Sequence, residues 1–549
     1  MINFAARFQP YDLPDFERGV RLPEVKVLDE EKLAFGLSLV ATNLDYLKKM
    51  CWVKCCEKLG SGRIKQSKSA CIERLKFEFE VFEKTGVIDY ILLLLDIFGW
   101  CDKNDIPRGV ARGSAAGSFS LFCLDLISIN ALDHDLNFTR FLSEARVKPK
   151  MIDGVLFVDG KNIADFDGDV SYLHRPRLMA YIDQKYAGRT SKISTVQYLT
   201  GKMAVKEALK SYLEYTEEQA REVSNLVESL FGKVQSISEA YGESAPFKEF
   251  ADAHPKVIAI ARKIEGLING FGVHASGVLI SHSDIQKLIP LELSSNDKTL
   301  SVVSGYSMEY VLTVIAKIDA LGLRTVDQID LVCKRIGIKA IDIDVNHPSI
   351  DAFYKKSSDF YGLFQIEDGL TKSVVQRVKP KHIDQLASCI SISRPGSLRY
   401  IDDYVKFVQT GDRKLIHPLM DELLEPTGGL ILYQEQISNI SQNVYKMSAV
   451  NADEVRYAIG KKKREEMEKW EPVLYANGKA QNIPEEITKW FWDTCNASAD
   501  YLFNANHCYS YSYITPYTTY PKANYPIDFY WAALKLASAE TKPHECIAT

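Results

Sequence analysis

The stretch Asp165-Phe166-Asp167-Gly168-Asp169 sets three carboxylates at two-residue spacing. On a strand that spacing points side chains the same way, so Asp165 and Asp167 share a face about 7 Å apart. Like charges held on one face repel, and a pair of Mg²⁺ ions shared with substrate phosphates is the natural compensation. The segment before them reads as a hairpin. Val155-Leu156-Phe157-Val158 is a short apolar run, Asp159-Gly160 is a type I′ turn signal, and Ile163 to Val170 is the returning strand. An acidic turn containing Gly is more often a solvated loop or a Ca²⁺-type loop, so the stretch needs support from elsewhere in the chain.

Three other places could serve a phosphate chemistry. Arg112-Gly113-Ser114-Ala115-Ala116-Gly117-Ser118 precedes the apolar Phe119 to Leu124. Small residues opening a helix leave backbone N–H groups free to approach phosphate oxygens, although no Gly-Lys-Ser/Thr follows as in a P-loop. Arg140 and Arg146 supply cations just upstream of the carboxylates. Lys317-Ile318-Asp319 ends a strand expected over Val311 to Ile318, so that Lys317 and Asp319 share a face as a phosphate contact and a metal ligand would need. Lys202, Lys206 and Lys210 recur every four residues on a helix, which is either a solvated face or a DNA-backbone contact. Gly460-Lys461-Lys462-Lys463-Arg464 is the most basic run and follows Arg456. The tyrosines between Tyr501 and Tyr530 are core or stacking surface.

The elements that must position these residues are an ordinary mixture. A chain of 549 residues with 46% hydrophobic and 25% charged residues is globular, with core enough for three to four domains. No uncharged apolar run is long enough to span a bilayer, and Met1-Ile2-Asn3-Phe4 does not begin a secretory signal. Eleven scattered Cys suit a reducing cytosol, and Cys51, Cys55 and Cys56 lack the partners of a zinc site. The net charge of −5 excludes a generally basic surface, leaving nucleic-acid contacts to local patches. Helical periodicity runs from Asp29 to Leu59, and again from Ser69 to Asp102 with Leu75, Phe77, Phe79, Phe82 and Ile88 as core. The chain is helical once more from about 195 to 270, with a capping box at Thr216-Glu217-Glu218-Gln219. After about 325 it is helical with turns at prolines.

Taken in order, these stretches resemble the bacterial C-family replicative DNA polymerases, whose catalytic subunit is the alpha subunit of DNA polymerase III. The likeness spans about residues 70 to 535. Arg112 to Ser118 resembles the family's glycine-serine turn, and Asp165 to Asp169 its Pro-Asp-x-Asp-x-Asp strand. Gly272 to Val278 and Lys317 to Leu323 resemble its second palm segment. Phe364-Gln365, Arg394-Pro395-Gly396, Tyr433 to Gln436, Arg456 with Gly460 to Lys463, and Phe503-Asn504 with His507 resemble its fingers.

The resemblance implies an α+β fold, with a nucleotidyltransferase (Pol β-like) mixed-sheet palm and largely helical thumb and fingers. Its domains would be an N-terminal adaptor over 1–68, palm over 69–195 and 269–325, thumb over 196–268 and fingers over 326–549. It implies Asp165, Asp167 and Asp319 as catalytic ligands of two Mg²⁺ ions, with Mn²⁺ as a substitute and Asp167/Asp169 as an alternative pair. Gly113, Ser114, Arg140, Lys317, Arg456 and Lys461 would hold the nucleotide. Lys202, Lys206, His274, Lys462 and Lys463 would contact DNA. Primed DNA and dNTPs are the expected partners, with a separately encoded clamp or exonuclease, in the cytoplasm.

Departures are visible. Ala164 stands where the family has Pro, the loop between Arg146 and Asp165 is long, and Ala505-Asn506 replaces Lys-Ser. No His precedes His134, and the chain ends at Thr549. The expectation is therefore a minimal core without PHP or C-terminal domains, of bacteriophage or mobile-element origin. The competing expectations are a catalytically inactive DNA-binding scaffold and a lesion-bypass or repair polymerase.

Overall fold

The computed structural model describes residues 16–160, 162–230, 233–293, 302–367, 369–460, 464–498 and 502–537. The chain is α+β and divides into two compact units, one of Met1–Thr190, Ser276–Ile285 and Leu312–Thr549, the other of Ser191–Ala275 and Gln286–Val311.

In the first unit the strand Ala316–Leu323 is the centre of the sheet. On one side it pairs in parallel with Asp167–Ser171, with Asp319 opposite Asp167. On the other it pairs antiparallel with the end of Ile268–Ile280, with Asp319 opposite Gly277. Alternation along it buries Ile318 and Ala320 and turns Lys317 and Asp319 to one face. The strand starts at Ala316 rather than Val311, because Met308–Val311 is a helical turn.

The expected hairpin forms with a different partner. Val155–Phe157 pairs antiparallel with Lys150–Ile152, and the two-residue loop is Asp153-Gly154. Both loop residues are left-handed, φ 50° and 75°, as a type I′ turn requires. Asp159-Gly160 makes no such turn, because Val158 exchanges backbone hydrogen bonds of 2.8 Å with Val20. The acidic segment is thereby freed to pair with the Asp319 strand. It becomes extended only at Asp167, leaving Asp165 just outside the strand.

The helical pattern from Ser69 splits into Lys68–Thr85 and Ile88–Lys103, separated at Gly86. Leu75, Phe79 and Phe82 are core, whereas Phe77 is 43% exposed and meets Phe138 edge-on at 5.7 Å. The Ile88–Lys103 helix buries Tyr90, Ile91, Leu94, Ile97 and Phe98 beneath the acidic segment, where Phe98 packs against Phe166 at 5.1 Å. A second core gathers Met420, Ile437, Val444, Tyr445 and Phe491. The tyrosine-rich stretch is the helix Ala505–Asn524, and Tyr513 and Tyr517 are buried in it as core rather than displayed for stacking.

In the second unit Val302–Ser307 pairs with Thr190–Tyr198 in parallel and with Leu291–Leu293 antiparallel. The strand persists to Tyr198, so helix begins at Gly201 rather than 195. The helices Gly201–Tyr212, Glu217–Ser224, Ile237–Glu243, Ala245–Ala253 and Pro255–Ile264 close over Ala204, Leu209, Phe247 and Ile258. Thr216 forms its capping box, its N–H donating to Gln219 Oε1 at 3.0 Å and its hydroxyl accepting from Gln219 N–H at 3.3 Å.

Candidate active site

Parallel pairing of the two acidic strands gathers Asp165, Asp167 and Asp319, whose nearest carboxylate oxygens lie within 4.8 Å of one another. Asp165 is exposed, Asp167 half-buried and Asp319 buried. Burial, followed by the charges of Asp165 and Asp319, pushes Asp167 up to about 6. Lys317 Nζ sits 2.6 Å from Asp319 and 3.5 Å from Asp165. Burial acts to lower its pKa, but the carboxylates outweigh it and leave it raised. Ser276 donates its hydroxyl to Asp319 Oδ1 at 2.9 Å. Three hard oxygen donors in a cluster with excess negative charge fit a divalent cation.

Asp169 faces a different partner. Arg112 Nε meets its two oxygens at 2.8 and 2.9 Å, with the carboxylate fully buried. Burial pushes Asp169 up to about 6, with Arg112 opposing. Arg112 also donates its backbone N–H to Asp167 O at 2.9 Å, and Nη1 to the Tyr511 hydroxyl at 3.2 Å. The geometry therefore groups Asp165 with Asp167, not Asp167 with Asp169.

Arg112 opens the 3₁₀ turn Gly113–Gly117, which is buried throughout. Gly113 has φ +87°, and a Cβ there would lie 2.9 Å from Asp167 Oδ2, so the turn's backbone abuts the carboxylate cluster. As the first N–H groups of the turn, those of Gly113 and Ser114 have no partner among the described residues. The helix that follows, Phe119–Cys123, does not offer free N–H groups as expected. Phe119 and Ser120 donate to Glu78, and Leu121 to Ser118.

Arg140 pairs with Glu435 at 2.9 Å and donates to Gln434 at 3.2 Å. Arg456 pairs with Asp453 at 2.8 Å and reaches the same Gln434 oxygen at 3.4 Å. Burial pulls Arg140 down to about 10, partly restored by Glu435. His507 is held down to about 4 by burial and by Arg140, Arg394 and Arg112. Lys202 and Lys206 belong to the second unit, where Lys206 is ion-paired with Glu217 and so is not a free cation. His274 is half-buried on Ile268–Ile280. Lys461, Lys462 and Lys463 lie outside the described residues.

Sequence reasoning missed Ser276, Glu435 and Glu78. Ser276 and Glu435 stand inside motifs already singled out, but their partners, Asp319 and Arg140, lie far away along the chain. Glu78 carried no local signal.

The fold and site together define a nucleotidyltransferase-like palm with an acidic triad. Residues 45–322 match the bacterial DNA polymerase III alpha NTPase domain, and residues 312–482 match the bacterial DNA polymerase III alpha subunit finger domain. The chain belongs to the bacterial DNA polymerase III alpha family. Curated relatives named DNA polymerase III subunit alpha include one from Aquifex aeolicus, 27% identical over 90% of this chain and 44% of that protein. One from Thermus aquaticus is 30% identical over 85% of this chain and 38% of its own length. One from Campylobacter jejuni is 31% identical over 84% and 38%. The chain spans about two fifths of the length of these relatives. Among the described residues no helix is long and apolar enough to cross a membrane.

Proposed function

We propose that the chain is a DNA-directed DNA polymerase core that adds dNMPs to a primer 3′-hydroxyl on a DNA template, in replication. The observation that carries the reading is the triad of Asp165, Asp167 and Asp319 with Lys317 beside it and the Gly113 turn against it. In this reading the triad holds two Mg²⁺ ions, with Mn²⁺ as a substitute. Bound there, the metal supplies a lowered pKa for the 3′-hydroxyl and neutralises developing phosphate charge.

The chain's own residues position and neutralise. Asp319 is held beside Asp167 by the strand pairing and by the Ser276 hydroxyl. The N–H groups of Gly113 and Ser114 face the triphosphate, and Lys317, Arg140, Arg456 and Lys461 neutralise it. Lys202, His274, Lys462 and Lys463 contact the DNA backbone. Residues 69–195 and 269–325 act as palm, 196–268 as thumb, 326–549 as fingers and 1–68 as adaptor.

Primer extension on a primed DNA template with Mg²⁺ and dNTPs tests the reading. Wild type should extend, while Asp167→Ala and Asp319→Ala should each lose on the order of 10³-fold or more in rate, at least what a single transition-state contact supplies. A wild type that binds primed DNA yet adds no nucleotide would overturn it.

A further inference from the structure

Glu78 is a fully buried carboxylate on the helix Lys68–Thr85, far in sequence from every motif of the site. Five donors converge on it. Oε1 accepts from Phe119 N–H at 2.8 Å and Arg74 Nε at 2.7 Å. Oε2 accepts from Ser120 N–H at 2.9 Å, Ser120 Oγ at 2.7 Å and Ser118 Oγ at 2.8 Å. Arg74 extends the clamp, its Nη2 donating to Gly117 O at 2.6 Å and Leu136 O at 3.0 Å. The carbonyl that ends the Gly113–Gly117 turn and the two amides just beyond it are thus held by one ion pair.

A buried ion pair is weak evidence of a stabilising role, because apolar residues of similar volume often serve stability as well. What such a pair fixes is direction. The other end of the turn is fixed where Arg112 bonds Asp167 and Asp169, and its middle where Asn506 donates to Ser114 O at 3.0 Å. With both ends held, the Gly113 and Ser114 N–H groups keep one orientation. Arg74 also matters electrostatically, since an unneutralised carboxylate under this turn would repel an incoming phosphate.

We propose that Glu78, neutralised by Arg74, is a positioning residue that orients the Gly113–Ser118 turn for the triphosphate of the incoming nucleotide. The inference rests on the polymerase reading above. It needs no contact between Glu78 and substrate.

The test compares wild type with Glu78→Gln and with the double variant Ser118→Ala/Ser120→Ala, which removes two of the five donors and keeps the buried charge paired. An amide offers one oxygen and turns N–H donors toward N–H donors, so the clamp opens without a change of volume. The readouts are single-nucleotide incorporation, titration of dATP by calorimetry, and the Mn²⁺-induced shift in melting temperature. Glu78→Gln should raise KM for dNTP about tenfold, and weaken dATP binding in proportion, with a smaller change in kcat and an unaltered Mn²⁺ shift. The double variant should change in the same sense by less, and it decides the matter if Glu78→Gln does not fold. A KM and dATP affinity within twofold of wild type in the folded variants would overturn the proposal. If wild type incorporates no nucleotide, the polymerase reading falls. The dATP titration then decides the positioning role, and equal affinities or an absence of wild-type binding overturn it.

Discussion

Replacing Lys317 by Met tests whether a lysine stands where a metal's charge is needed. At an effective dielectric near 20, two charges 4.8 Å apart interact by about 3.5 kcal/mol, so the three carboxylates repel substantially. Lys317 offsets this from 2.6 Å at Asp319 and 3.5 Å at Asp165. Asp165 is 63% exposed and contributes little, whereas Asp319 is 4% exposed and would keep the Ser276 hydroxyl as a donor. Breaking a buried pair by removing one partner costs roughly 3–5 kcal/mol, and the lower end suits this half-open site. About 3 kcal/mol is about 3 °C in melting temperature for a cooperative unit of several hundred residues. Calorimetry in EDTA should show that loss for Lys317→Met. Mn²⁺ should then raise the variant's melting temperature more than the wild type's, because lysine and metal compete for the same carboxylates. Equal melting temperatures in EDTA, or a loss that Mn²⁺ leaves unchanged, would refute the electrostatic reasoning.

Gly113→Ala combines a left-handed residue with a Cβ 2.9 Å from Asp167 Oδ2, so it should cost about 1–2 kcal/mol by urea unfolding and more than tenfold in primer extension. His507, held near 4 by burial and three arginines, makes stability fall as pH drops below about 6.5, because the unfolded chain takes up the proton first. The loss should reach about 2 kcal/mol by pH 5, and His507→Gln should flatten that part of the urea-unfolding pH profile. Asp167→Ala and Asp319→Ala should abolish extension while leaving unfolding in EDTA near wild type for Asp167→Ala, where a repelling charge is removed. A several-degree loss in that variant would mean that Asp167 is structural.

Asp167, Asp319 and Lys317 were legible because strand alternation acts over a few residues, and the glycine-serine turn because turn chemistry does, whereas Asp165 lies just outside the strand. The family likeness was legible because those stretches occur in one order along the chain. Local signals also misled where two segments competed. The chain carries two Asp-Gly pairs near the acidic strand, and both are turn signals. Only Asp153-Gly154 becomes left-handed, because Val158 is claimed by Val20, from near the start of the chain. Likewise Asp169 has the same spacing as its neighbours, and only the approach of Arg112 removes it from the cluster.

The sequence by itself determined which residue types stand at which spacing: carboxylates two residues apart, a lysine two residues before one of them, and a turn of small residues. The tertiary structure decided which carboxylate meets which partner. Asp167 and Asp319 are distant in sequence and become neighbours through parallel strand pairing. Glu78 becomes a clamp on the Gly113 turn through the docking of a helix whose sequence gives no hint of it. Such pairings are set by the burial of Ile318, Ala320, Phe98 and Phe166 in one core, a non-local energy that no window of residues contains.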